Sequence, residues 1–149
     1  MASAYRNSSK KFFNEVGVTN LARDVSSAPF IRKAEHAILA ALGRSGERVE
    51  VFLISGTRMR TLNLRFRGKN ASTDTLSFPH PKEFVEAGRF KPLGEIYLNL
   101  SRIPSRKELV MILLHGTLHL LGFTHEKPRA REEMERAEKR ILSRAYNLL

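Results

Sequence analysis

Residues 105–125 read SRKELVMILLHGTLHLLGFTH, and the architecture turns on this stretch. Ser105, followed three residues later by Glu108, forms a capping box, so a helix starts here. The body that follows is apolar nearly all round, which predicts a central helix covered on every side. Gly122 is its natural stop, because glycine enters the left-handed conformation without steric cost. A helix of this kind needs other layers around it.

The rest of the chain supplies those layers. APFIRKAEHAILAALG (28–43) reads as a helix, with Pro29 suited to its start and Gly43 to its end. RVEVFLIS (48–55) alternates and is rich in β-formers, so it reads as a strand. TRMRTLNLRFRG (57–68) predicts a short helix capped by Thr57 and stopped at Gly68, with Met59, Leu62 and Phe66 as its buried stripe. TLSF (75–78) is a strand ended by Pro79, PHPKEFVEAGRFKP (79–92) a surface loop, and GEIYLNL (94–100) another strand. The last segment, 129–149, is an amphipathic helix with Met134, Ala137, Ile141 and Ala145 inside. Met111 joins Met59 among the expected core residues. Residues 1–27 give no firm assignment. The expected fold class is α+β, a single domain over 1–149 with a small mixed sheet and helices around a central His-bearing helix.

Composition narrows the chemistry. Lys and Arg number 26 against 15 acidic residues, a net charge of +11 in 149 residues. Such an excess favours polyanions, namely RNA, DNA or anionic lipid, over a merely solvated basic surface. The chain has no cysteine, which excludes disulfides and thiolate metal sites. The N-terminal stretch lacks the apolar core of a signal peptide, and no apolar run is long enough to span a bilayer. The expectation is a cytoplasmic protein without membrane attachment.

Three of the five histidines fall between 115 and 125. His115 and His119 are four apart on a helix, so they stack on one face, about one turn apart. Two protonated imidazoles would repel, and an unpaired buried ring is costly. A shared metal ion removes both problems. After the break at Gly122, His125 can swing round to the same ion. Three nitrogen ligands with a fourth position left for water make the pattern of a catalytic zinc site, one ion per chain. His36 and His80 have no partners in pattern and read as non-ligands. The spacing also matches the zinc frame of metzincin peptidases, His-Glu-x-x-His-x-x-Gly-x-x-His. Their second position carries the general-base Glu. Here it is Gly116, so the peptidase base is absent.

HGTLHLLGFTH (115–125) resembles the signature of the YbeY family of bacterial rRNA-maturation endoribonucleases. LNLRFRGKNASTDTLSFP (62–79) is similar to that family's block ending in Thr-Asp-Val-Leu-Ser-Phe-Pro, and LGEIYL (93–98) resembles its Leu-Gly-Asp-Ile strand. The likeness runs from about 48 to 142. It implies a zinc-dependent, single-strand-specific endoribonuclease acting in rRNA 3′-end maturation and ribosome quality control. Its partners would be single-stranded rRNA and the small ribosomal subunit. By the resemblance His115, His119 and His125 match the zinc ligands and Arg67 the functional arginine. Thr124 stands where the family commonly has Asp, and Thr cannot ionise. Glu126 is the nearest carboxylate in sequence. Glu95 replaces the common Asp, and the linker after the GEIYLNL strand is short.

In such a site Arg67 would clamp a phosphate with its planar fork. Arg58, Arg60, Arg65 and Lys69 read as a phosphate-tracking rim beside the metal cleft. Thr73, Asp74 and Ser77 are candidates to line the cleft, Asp74 serving either the turn or the orientation of Arg67. The attacking group is either a metal-activated water or the RNA 2′-hydroxyl, and the second choice would leave DNA uncut. Two other functions compete: a ribosome-associated RNA-binding assembly factor with a structural metal, and a zinc metallopeptidase.

Overall fold

The structure is a computed structural model that describes residues 13–23 and 27–149. Most of the N-terminal stretch read above therefore lies outside the described residues. In chain order the elements are β1 (Glu15–Asn20), α1 (Ala28–Ala41), β2 (Glu47–Leu53), α2 (Gly56–Arg67), β3 (Thr75–Pro79), β4 (Lys91–Leu98), a 3-10 turn (Leu100–Arg102), α3 (Arg106–Leu120) and α4 (Pro128–Leu148). The strands form one sheet in the order β1-β2-β4-β3. β1, β2 and β4 run parallel, and β3 pairs antiparallel to β4. The α+β class and the mixed sheet are those expected.

Alternation along the strands divides the core in two. Val49, Val51 and Leu53 of β2, with Ile96 and Leu98 of β4, face α1, α3 and α4 in the main core. Phe52, Leu76, Phe78 and Tyr97 point to the other face, where α2 covers them with Met59 and Leu62. Helix α3 is the centre of the main layer, with Leu113, Leu114 and Leu118 essentially inaccessible. Each such side chain contributes roughly 1.5–3 kcal/mol by leaving water. The inner stripe of α4 is Met134, Ala137, Ile141 and Ala145, as its periodicity predicts.

Several expectations need correction. The unassigned N-terminal stretch contains β1, whose EVGVTN sequence is too short and polar to stand out alone. The cap of α2 is Ser55, whose hydroxyl accepts from the Arg58 amide at 3.3 Å, and not Thr57. Phe66 is 57 % exposed, and Asn63 takes the buried position one turn after Met59. The Asn63 side chain donates to the Ala71 carbonyl at 2.8 Å, so a polar group fits there. Met111 is 46 % exposed, because its side of α3 opens onto a cleft. β4 begins at Lys91 and ends at Leu98, so the end of the expected loop is strand. Pro92 enters the ladder next to a register shift at Arg48/Val49, where its missing N–H is tolerated. Gly94, with φ +144°, passes so close to β3 that an added Cβ would lie 2.3 Å from the Phe78 carbonyl oxygen.

Among the described residues, no helix is long and apolar enough to cross a membrane.

Candidate metal centre

The end of α3 builds the centre. The Ser105 hydroxyl starts the helix by accepting from the Glu108 amide at 3.2 Å. At the other end the Phe123 amide donates to the Leu118 carbonyl, and the Gly122 amide to that of His119, both at 3.0 Å. This pair of bonds is a Schellman turn, and Gly122 at φ +96° supplies its left-handed residue. The turn reverses the chain and returns His125 to the face already carrying His115 and His119. One nitrogen from each of the three rings then lies within 4.8 Å of the other two.

Outer partners fix the rings. The His115 Nδ1 is 2.5 Å from a Glu138 carboxylate oxygen on α4. The His119 Nδ1 is 2.8 Å from the Phe123 carbonyl oxygen, which belongs to the same helix-ending turn. Both acceptors require a hydrogen on Nδ1, so each neutral ring carries its lone pair on Nε2. Those two Nε2 atoms face one another at 3.0 Å. Two lone pairs at that distance repel unless a cation lies beside both. Burial and the neighbouring His115 hold the pKa of His119 below its ordinary value, which keeps it neutral and able to ligate. The residues present therefore fit a metal ion, and the imidazole-only donor set suits zinc and its neighbours. Among the described residues the cluster has three ligands and no fourth, which leaves a coordination position for solvent or substrate.

Gly116 lies one step along the same helix and faces the sheet. A Cβ added there would come within 3.2 Å of the Ile96 side chain. A peptidase glutamate at that position would enter the core and not the metal face.

The centre opens into a cleft of about 410 Å³ lined by His115, Glu138, Asp74, Thr75, Met111 and Leu142, among others. Asp74 therefore shares the cleft with His115 and Glu138, while Thr73 and Ser77 are not part of its lining. Thr73 supports Asp74 through a hydroxyl contact of 3.4 Å. Ser77 is half-buried in β3 opposite Ile96. The loop before β3 is held from both sides. Asn63 grips Ala71, and the buried Asn99 donates through its side chain to Ser72 and Thr73 and through its amide to the Asp74 carbonyl.

Arg67 ends α2, and its guanidinium lies close enough to His119 to disfavour protonation of that ring. Arg58, Arg60, Arg65 and Lys69 are all exposed on or just after α2. Arg60 donates to the Asn70 side chain at 2.7 Å, and the Arg65 guanidinium lies 5.4 Å from the centre of the Phe66 ring. His36 on α1 and His80 beyond β3 lie outside the cluster; the His80 ring bonds the Phe84 carbonyl at 2.9 Å. Glu126 is exposed, and the carboxylate brought to the histidines is that of Glu138. Sequence reasoning missed Glu138 and Asn99. The available signal for Glu138 was a carboxylate four residues after Met134 and three before Ile141, on the edge of an otherwise apolar stripe.

The chain is similar to known proteins in sequence and in fold. The family described as Endoribonuclease YbeY matches residues 13–146, so the likeness starts well before residue 48. An Endoribonuclease YbeY of Anaeromyxobacter sp. is 38% identical over 136 residues, covering 85% of this chain and 69% of that one. The protein of the same description from Azorhizobium caulinodans is 36% identical over 122 residues, covering 74% of this chain and 76% of its own. A Thermotoga maritima protein solved in solution superposes with a TM-score of 0.56 at 26% identity, covering 89% of both chains.

Proposed function

Because the chain belongs to the YbeY endoribonuclease family, we propose that it is a zinc-dependent endoribonuclease. It cuts single-stranded RNA in the cytoplasm, and its substrate is rRNA of the small ribosomal subunit during 3′-end maturation and quality control. The observation that carries this reading is the pair of Nε2 atoms converging at 3.0 Å, with both Nδ1 atoms already engaged.

His115, His119 and His125 would hold one zinc ion per chain. When bound, zinc supplies Lewis acidity toward a phosphoryl oxygen and acidifies coordinated water. The protein groups do the rest. Glu138 and the Phe123 carbonyl hold the Nδ1 protons and with them the ring orientations. Arg67 binds the scissile phosphate with its planar fork, on the side of His119, and offsets charge as it develops. Asp74 places a carboxylate in the same cleft to accept the proton of the attacking group, with Thr73 and Ser77 supporting the strand beside it. Arg58, Arg60, Arg65 and Lys69 track the phosphates of the incoming strand. The whole of 1–149 acts as one such domain.

The structural-strut reading lacks a fourth ligand among the described residues, and the peptidase reading lacks its base at Gly116. The test is cleavage of a single-stranded RNA carrying an rRNA 3′-end sequence. Cleavage should require the metal-loaded protein and stop on chelation. RNA binding with no cleavage under any metal loading would favour the assembly-factor alternative.

A further inference from the structure

On the face of the sheet covered by α2 lies a second cavity, of about 420 Å³, whose lining includes Leu62, Phe66, Phe78, Glu95 and Tyr97. Its wall is aromatic. Phe66 meets Phe78 edge to face at 5.1 Å, and Phe78 meets Tyr97 the same way at 5.7 Å. Tyr97 is backed by Phe52, stacked at 4.8 Å. Phe66 is 57 % exposed. Glu95 stands opposite Phe78 across the β3–β4 ladder. One of its oxygens accepts from the Tyr97 hydroxyl at 2.8 Å. Burial and this carboxylate push the Tyr97 pKa up to about 12, so the phenol stays a donor. The other Glu95 oxygen accepts from no described residue.

We propose that this pocket is a nucleobase subsite, which stacks on Phe66 the unpaired base of a nucleotide next to the phosphate held by Arg67. The inference rests on RNA being the substrate. Phe66 and Arg67 are consecutive residues in the last turn of α2. Arg67 closes the last turn of α2, while Phe66 joins the aromatic wall on the α2 face. One strand can therefore present a phosphate to the first and the adjoining base to the second. Unstacked bases of single-stranded RNA are bound in this way, on aromatic faces with hydrogen bonds to their edges. The arginines along α2 select a polyanion over an apolar peptide for the same groove.

Glu95 sets the class of base. A carboxylate oxygen accepts from an exocyclic amino group, which adenine, cytosine and guanine carry. Uracil offers an imino N–H flanked by two carbonyl oxygens, and these repel the carboxylate. The subsite therefore takes an amino-bearing base in preference to uracil.

The chain contains no tryptophan, so Phe66→Trp introduces a single indole reporter into the full-length protein. A short 2′-O-methyl oligoadenylate, chosen to slow cleavage, should quench the indole emission. An abasic oligomer of equal charge should not. Phe66→Ala should weaken oligoadenylate binding about tenfold or more and leave the abasic oligomer unaffected. Phe66→Tyr should restore binding, and Glu95→Gln should narrow the preference of adenylate over uridylate. Equal binding of oligoadenylate by wild type and Phe66→Ala, with no quenching, would overturn the subsite. Cleavage of RNA by the same preparation would show that the endoribonuclease reading survives that loss. Equal weakening of the abasic oligomer would assign Phe66 to the backbone and also overturn it. Failure of the wild type to bind either oligomer would remove both readings together.

Discussion

The Glu138 carboxylate on α4 lies 2.5 Å from the Nδ1 of His115 on α3. This contact ties the last helix to the metal face and leaves His115 with its Nε2 directed at His119. Loss of such an outer partner typically costs about tenfold to hundredfold in metal affinity. Glu138→Ala should show a drop of that size in competition with a chromogenic chelator. Glu138→Gln should recover part of it, because an amide oxygen still accepts from Nδ1. An unchanged affinity in Glu138→Ala would reduce the contact to a surface ion pair.

Arg67 should separate binding of the metal from chemistry. It is exposed at the end of α2, so Arg67→Ala should fold normally and bind metal as the wild type does. Removal of one donor from developing charge typically costs about 10²–10³-fold in rate, and RNA cleavage should fall by that much. Arg67→Lys should recover little, because a point charge does not reproduce the planar fork. Wild-type cleavage by Arg67→Ala, measured in a single-turnover assay, would remove Arg67 from the proposed machinery.

Glu35 sets a pH dependence of stability. It is fully buried on α1, and burial raises its pKa from 4.5 to about 7, against the lowering effect of its Thr117 hydrogen bond. The Thr117 hydroxyl lies 2.7 Å from Glu35 and 2.8 Å from the Leu113 carbonyl. The hydroxyl is shared between these two acceptors, and burial outweighs its bond to Glu35 and favours the neutral carboxyl. The native state then holds a proton that the unfolded state releases above pH 4.5. Stability from this group is fully present below pH 4.5 and is lost as pH rises through about 7. The loss is on the order of a few kcal/mol. Glu35→Gln removes the titration. Urea unfolding at pH 5 and pH 8 should show the variant gaining on the wild type at the higher pH. A difference that is the same at both values would contradict a neutral Glu35.

Gly116→Glu should give a damaged protein and no peptidase. The position faces Ile96 in the core, and an unpaired buried carboxylate costs several kcal/mol. Thermal unfolding should move sharply downward, and no hydrolysis of casein should appear. A variant as stable as the wild type would mean that position 116 opens to the metal face.

The parts of this site that lie close in sequence were legible there. His115, His119, Gly122 and His125 sit on one helix and the turn that ends it, so their meeting follows from helical period and glycine geometry. Glu138 and Asn99 were not legible. Each acts across the fold, through α4 packing on α3 and through the bend after β4, and no local pattern reports such contacts. The error at Phe66 has another cause. A stripe drawn through Met59, Leu62 and Phe66 assumes that only apolar side chains turn inward, whereas Asn63 goes in to hold the loop at Ala71. Phe66 was thereby freed to remain at the surface. β1 was hidden because an edge strand of six residues borrows its identity from its partner β2.

The most direct test is the metal content of untagged protein, purified without chelators and measured by mass spectrometry beside a His119→Ala variant. The account predicts about one zinc per chain in the wild type and loss of it in the variant. Absence of metal from both would contradict it, and would leave a basic RNA-binding domain whose histidines are merely packed together.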